Sequence, residues 1–355
     1  MVVNITLNNF YIINLKVLLA YFILVTASYV LTYCVRRIAI YKSILDIPND
    51  RSSHSIPTPR GGGLAVAISW FIGLAYFFIC GKLEPTLFYA LLSGLPLTMV
   101  GFADDIFSLK PFVRFLVQFI CAAFALWFLG GLQSLDYGLW IMDYLWLLTP
   151  LAFIAIIWSI NFFNFLDGID GYIGSEIVFI GLSAYAITGD QIGLLIASAT
   201  FGFLLWNWPK AKIFMGDVGS TLLGFTVAVM AVYHQNNHIS SIWVWLILTS
   251  VFWFDATITL FRRFINKEKL SEAHRKHAYQ RAVQSGYSHQ RVTIGSIVLN
   301  LIGLGFAWLT HKFDTYAILF LVLNLLILFM VLKFIDKRKP FEYTKFASKT
   351  SIRSK

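Results

Sequence analysis

Two adjacent carboxylates, Asp104 and Asp105, stand directly after the apolar stretch 99–103. Like charges at the edge of an apolar run are costly to keep, which marks them as candidates for chemistry. Neighbouring helical positions diverge by about 100°, so both enter one site only if the helix ends there. Otherwise one binds while the other anchors the following loop. The segment 161–171, NFFNFLDGIDG, is less ordinary. Asn161, Asn164 and either Asp167 or Gly168 recur at the spacing that aligns side chains on one helical face. Asp167-Gly168 and Asp170-Gly171 then let the backbone turn sharply. Amides and carboxylates stacked at a helix end suit a sugar, a uracil edge or a hydrated metal. A plain helix stop would account for the glycines but not for the asparagines.

The segment 214–220, FMGDVGS, opens another apolar run. Its glycines allow close backbone approach, and N–H groups at a helix start favour phosphate. Asp217 is an oxygen ligand of the kind Mg²⁺ accepts, an ion that uses one or two carboxylates plus substrate phosphates and water. His274 and His277 are three apart in a basic stretch and share a face if it is helical. No cysteine or third close ligand accompanies them, as zinc would require, so together with Arg275 they suit phosphate. The stretch 46–63 has the Pro and Gly density of an ordered loop, with Arg51, His54 and Arg60 able to face anions. Asp255 lies inside an apolar run, where a carboxylate is either functional or bonded to a neighbouring helix.

The elements that must position these residues follow from composition. Of 355 residues, 58% are hydrophobic and 13% charged, whereas a soluble domain carries roughly 25% charge. Apolar runs of the length needed to cross a hydrocarbon core of about 30 Å recur along the chain. They fall near 11–35, 64–80, 86–103, 113–130, 145–160, 173–188, 191–208, 220–235, 242–261, 291–310 and 315–334. The expected architecture is an all-α polytopic membrane protein of about eleven transmembrane helices. Residues 1–340 form a single integral membrane domain, followed by a basic tail, 341–355. The first run is too long for a signal peptide. Arg and Lys gather in alternate connections, while the others hold only Lys82 and Lys312. That asymmetry puts the N-terminus outside and the C-terminus in the cytoplasm, and it accounts for the net charge of +10 without nucleic acid. Even numbers of crossings separate the five polar segments, so all emerge on the cytoplasmic face. A transporter would place its polar residues near the midplane and show internal repeats; neither is seen. Cys34, Cys80 and Cys121 have neither zinc nor disulfide-framework spacing and read as packing residues.

In this order and on one face, the five motifs resemble the polyprenyl-phosphate N-acetylhexosamine-1-phosphate transferases. That family includes the phospho-N-acetylmuramoyl-pentapeptide transferase and the enzymes that initiate O-antigen, enterobacterial common antigen and teichoic acid linkage. The resemblance runs from about Asp46 to Arg291. It implies transfer of a sugar 1-phosphate from a UDP-N-acetylhexosamine to undecaprenyl phosphate, with UMP released, at a bacterial cytoplasmic (inner) membrane. It also implies catalytic roles for Asp104 and Asp105, and donor contacts from Asn161, Asn164, Asp167 and Asp170. By the same resemblance Asp217 binds Mg²⁺, with Mn²⁺ as a substitute, and His274 and His277 lie near the diphosphate. Arg51, His54 and Arg275 are expected to add positive or hydrogen-bonding contacts. The loop AHRKHAYQRAVQSGYSHQRV has a sparser histidine cluster than the peptidoglycan enzymes. It looks more like the O-antigen-initiating branch, which uses deoxy-N-acetylhexosamines. The expected partners are thus the two substrates, membrane lipid and a second copy in a homodimer, with no nucleic acid.

Overall fold

The computed structural model describes residues 15–48, 56–107, 109–136, 141–142, 145–270, 272 and 274–342. Among them, every apolar run of the sequence becomes a helix or a broken pair of helices. The order is α1 (Leu15–Tyr41), α2 (Gly63–Ile79), α3 (Pro85–Leu92), α4 (Leu95–Phe107), α5 (Pro111–Leu129), α6 (Leu145–Phe165), α7 (Tyr172–Thr188), α8 (Gln191–Asn207), α9 (Asp217–Asn236), α10 (Ile242–Leu248), α11 (Ser250–Ile265), α12 (Ala278–Gln284), α13 (His289–Lys312) and α14 (Ala317–Arg338). Away from water each backbone N–H and C=O must be satisfied within its own segment, so a long apolar run has little alternative to helix. Starts and stops are locally encoded. Pro85 and Pro111 occupy first-turn positions, where the missing N–H costs nothing. Gly130 ends α5 in the left-handed conformation.

Seven helical segments are long and apolar enough to cross a membrane, or eight if the α10–α11 pair, bent by 76°, is one span. The chain is a multi-pass membrane protein, but the expected eleven spans are not reached by this measure among the described residues. The shortfall comes from α2, α7 and α8, apolar helices of 17 residues each. At 1.5 Å per residue they are about 25 Å long, short of a hydrocarbon core of about 30 Å.

α9 is the axis of the molecule. Its apolar window is 83% buried, against 17–39% for the other six, because it packs against α2, α4, α5 and α6. α4 reaches the first turn of α9 only because residue 101 is glycine; a Cβ there would lie 2.7 Å from Val218 Cα. Two short strands, β1 (Leu45–Asp46) and β2 (Thr58–Pro59), pair antiparallel and close the loop before α2. That loop docks onto the chain entering α9: Phe214 N–H donates to Pro59 O at 2.8 Å and Gly63 N–H to Met215 O at 2.8 Å. A second pair, β3 (Leu135–Asp136) and β4 (Ile141–Met142), lies between α5 and α6. Of the cysteines only Cys121 is a packing residue; Cys34 and Cys80 are exposed, since their helices turn those positions outward.

Candidate active site

α9 begins after Gly216, whose φ of 77° lies in the left-handed region. A Cβ at Gly216 would stand 2.5 Å from Asp105 Oδ2. Glycine therefore both turns the chain so that Asp217 opens the helix and admits a carboxylate from α4 against the backbone. Asp105 Oδ1 accepts the Asp217 N–H at 3.4 Å and lies 3.5 Å from Arg60 Nη2. The side chain is 3% exposed, and its Oδ2 has no hydrogen-bond partner.

Asp104 points elsewhere, as adjacent helical positions must. Its Oδ1 accepts Leu109 N–H at 2.6 Å, tying down the α4–α5 turn. Its Oδ2 accepts from Arg114 Nη1 at 2.8 Å, and the same nitrogen donates to Asp217 Oδ2 at 3.0 Å. Arg114, one turn into α5, thus bridges the carboxylates of α4 and α9.

α6 supplies the amides. Asn161 Nδ2 donates to Gln118 Oε1 at 2.9 Å and to Ile157 O at 2.7 Å. Asn164 Nδ2 donates to Ser220 Oγ at 3.2 Å, one turn along α9 from Asp217. Asp167, just past α6, belongs to the same acid cluster: its carboxyl is pushed up to about 8, first by burial and then by Asp217 and Asp105. Asp170 does not join it. Its Oδ2 accepts Ala211 N–H at 3.1 Å, its Oδ1 lies 3.3 Å from His289 Nδ1, and its carbonyl accepts from Thr293 Oγ1 at 3.0 Å. The chain has left the helix by then, so the three-residue step from Asp167 no longer preserves the face, and Asp170 pins this turn to α13.

The α11–α12 loop forms the remaining wall. Residues 274–276 are not helical, so the expected helical pairing of the two histidines is absent, yet their ring centroids are 4.9 Å apart. His274 Nδ1 accepts the Lys276 N–H at 3.2 Å. Burial, then the charges of His277, Arg263 and Lys276, push this imidazole down to about 3. In the protein alone it is neutral and donates through Nε2 rather than acting as a cation. His277 is buried, with Nδ1 3.6 Å from Asp255 Oδ1. Asp255 also accepts from Ala278 N at 2.7 Å, Tyr279 N at 3.2 Å and Thr259 Oγ1 at 3.0 Å. The intramembrane acid therefore satisfies the first N–H groups of α12, the structural alternative of the two. The Arg275 carbonyl accepts from Gln284 Nε2 at 2.8 Å, and Arg275 does not line the cavity described next. Arg51 and His54 lie outside the described residues.

These elements enclose a cavity of about 500 Å³, within the range of small-molecule sites. Arg114, Gln118, Asn161, Asn164, Asp217 and Thr221 give it polar lining; His274, His277 and Gln280 come from the loop and α12. Leu97, Val100, Phe115, Phe165 and Leu260 give it apolar lining as well. Asp104 and Asp105 stand behind Asp217 and Arg114 rather than on the wall. Arg114 and Gln118 were not predicted site residues. Their only sequence signal is an Arg and a Gln four apart on a helix face, and nothing local indicates that Arg114 meets an acid 103 positions away.

Among the described residues no group of three or more His, Cys, Asp or Glu side chains is arranged to hold a metal ion. A closed protein cage is thus not what the site offers. The acids Asp104, Asp105, Asp167 and Asp217 nevertheless outnumber the cations Arg60 and Arg114, and Asp105 Oδ2 is buried without a partner. That surplus fits Mg²⁺ held by one or two carboxylates, with phosphate and water completing its shell.

Residues 87–235 match glycosyl transferase family 4. Over 94% of its length the chain is 29% identical to a probable undecaprenyl-phosphate N-acetylglucosaminyl 1-phosphate transferase of Bacillus subtilis, of which 96% is covered. It is 27% identical to an undecaprenyl-phosphate alpha-N-acetylglucosaminyl 1-phosphate transferase of Yersinia pestis, over 77% of this chain and 79% of that one. A decaprenyl-phosphate N-acetylglucosaminephosphotransferase of Mycobacterium tuberculosis is 28% identical over 75% of this chain and 76% of its own. The family match contains Asp104, Asp105, the 161–170 segment and Asp217, but neither Arg60 nor the histidine loop.

Proposed function

From the match of residues 87–235 to glycosyl transferase family 4, we propose that the chain transfers an N-acetylhexosamine 1-phosphate from a UDP-sugar to a polyprenyl phosphate. One observation carries the reading. Asp217, bridged to Asp104 by Arg114, stands on the wall of a cavity whose lining mixes polar and apolar side chains. Such a cavity suits a nucleotide sugar meeting the phosphate of a lipid.

In this reaction a lipid phosphate oxygen attacks the sugar-bearing phosphorus. The new P–O bond forms as the bond to UMP breaks, and the electron pair leaves on UMP. A phosphate monoester has its second pKa near 6 and is largely ionised at neutral pH, so a covalent aspartyl intermediate is unnecessary. The obstacles are repulsion between two anions and the charge growing on UMP. Arg114 faces both, because among the described residues it is the Arg or Lys on the cavity wall, and it can exchange a carboxylate for a phosphate oxygen. Asp104, off the wall, then orients Arg114. Asp217 would hold Mg²⁺, with Asp105 behind it; when bound, that ion neutralises the diphosphate and polarises its phosphorus. Gln118, Asn161 and Asn164 offer amides to the sugar or base, and His274 offers its Nε2–H.

The names of the relatives favour N-acetylglucosamine as the donor sugar over the deoxy-sugar suggested by the loop. The product would start a cell-surface polysaccharide, O-antigen on the loop's reading, with peptidoglycan or teichoic acid linkage as the alternative. The site would face the cytoplasm from a bacterial inner membrane, in a homodimer. UMP release by purified protein tests the reaction. It should require undecaprenyl phosphate, Mg²⁺ or Mn²⁺, and one UDP-N-acetylhexosamine of a panel. Release without the lipid, or none with any donor from a folded preparation, would sink it.

A further inference from the structure

A second cavity, of about 320 Å³, opens between α11, α12, α13 and α14. Its lining is almost wholly apolar, with Phe254, Val292, Leu299, Leu328, Val331 and Ile335 among its walls. Part of the space exists because residue 295 is glycine: a Cβ built there meets no atom within 4 Å. α13 and α14 bury only 28% and 17% of their apolar windows inside the protein, so an opening between them faces bilayer hydrocarbon. An apolar cavity so placed is not a home for water, which needs polar partners, and leaving it void forfeits dispersion contacts along every wall.

Two charged residues line this space, Asp255 and Arg291. Asp255 is already engaged by Ala278, Tyr279, Thr259 and His277. Arg291, in the first turn of α13, is exposed, and no described acid pairs with it. The space therefore ends at one uncompensated cation, the arrangement by which membrane proteins hold anionic head groups between helices.

We infer that this cavity binds one acyl chain of an anionic phospholipid, whose head group is held by Arg291. The lipid would bear on the catalytic cavity through two shared residues. Tyr279 lines the lipid cavity with its ring while its hydroxyl donates to Phe165 O at 3.1 Å, on the catalytic wall. Asp255 lines the lipid cavity while fixing the start of α12 and facing His277. A chain filling this space supports α12 from beneath.

Full-length protein would be reconstituted in mixed vesicles of phosphatidylglycerol and phosphatidylcholine, extracted in mild detergent and counted for retained lipid by native mass spectrometry. The wild type should retain one phosphatidylglycerol per chain in at least tenfold preference over phosphatidylcholine. Gly295→Leu, which grows into open space, should lose it, while Gly295→Ala keeps it. Val331→Phe closes the same cavity from α14, so a folding defect on one helix does not decide the result. Arg291→Gln should retain a chain but lose the preference for phosphatidylglycerol. Equal retention by wild type, Gly295→Leu and Val331→Phe would overturn the assignment. Displacement of the bound lipid by an equimolar amount of undecaprenyl phosphate would also overturn it, giving the cavity to the acceptor.

Discussion

Asp217→Asn keeps the shape of the side chain and removes one negative charge, and the structure sets the size of each consequence. Asp217 loses a charge-assisted bond to Arg114 at 3.0 Å; hydrogen bonds to charged groups contribute about 1.5–3 kcal/mol. That figure is reduced here because Arg114 is 37% exposed and keeps Asp104. The substitution also gives up about 0.3–1 kcal/mol for an acid at a helix N-terminus. Against this stands repulsion. One Arg114 nitrogen bonds both carboxylates, so their oxygens are no more than about 6 Å apart, and at an effective dielectric near 20 like charges there repel by about 3 kcal/mol. The contributions cancel to within about 1 kcal/mol, which for a domain of this size class moves the melting temperature by no more than about 4 °C. Activity should respond very differently. Removing one preorganised electrostatic element typically costs about 10²- to 10³-fold in turnover. UMP release across a Mg²⁺ titration, beside melting curves in EDTA, measures both quantities. A variant within tenfold of wild type would remove Asp217 from the site. A large fall in melting temperature would refute the charge balance and make any activity loss structural.

Asp167 gives a pH signature. Its carboxyl is raised to about 8 in the folded protein against about 3.9 unfolded, so the folded state holds the extra proton. Its stabilising contribution is complete below about pH 4 and lost as pH rises through about 8. In EDTA, melting temperature should fall between pH 5 and 8 and level off above. Asp167→Asn should make that slope shallower, and an unchanged slope would show that other groups titrate. Reporter fusions within 263–290 should read cytoplasmic; an external signal would invert the topology drawn from the charge bias.

Much of this protein is local in origin. Apolar length determined where helices form, because hydrocarbon leaves the backbone no other donors and acceptors. Residues of all five polar segments meet around the first turn of α9, and their residue types had marked them in the sequence. The Gly216-Asp217 start of α9 was legible too, being a matter of backbone conformation. So were Asn161 and Asn164, about one turn apart on α6, which is helical periodicity. Tertiary structure alone decided the partners. Arg114 meets Asp217 across 103 residues, and Asp105 lies under Gly216 because α4 and α9 touch at a glycine. Asp170 and Asp255 became anchors, and His274 became neutral. Which acid faces a cavity and which holds a helix depends on the rotation of each helix against its neighbours. That rotation is fixed by packing over the whole bundle and is written in no single segment.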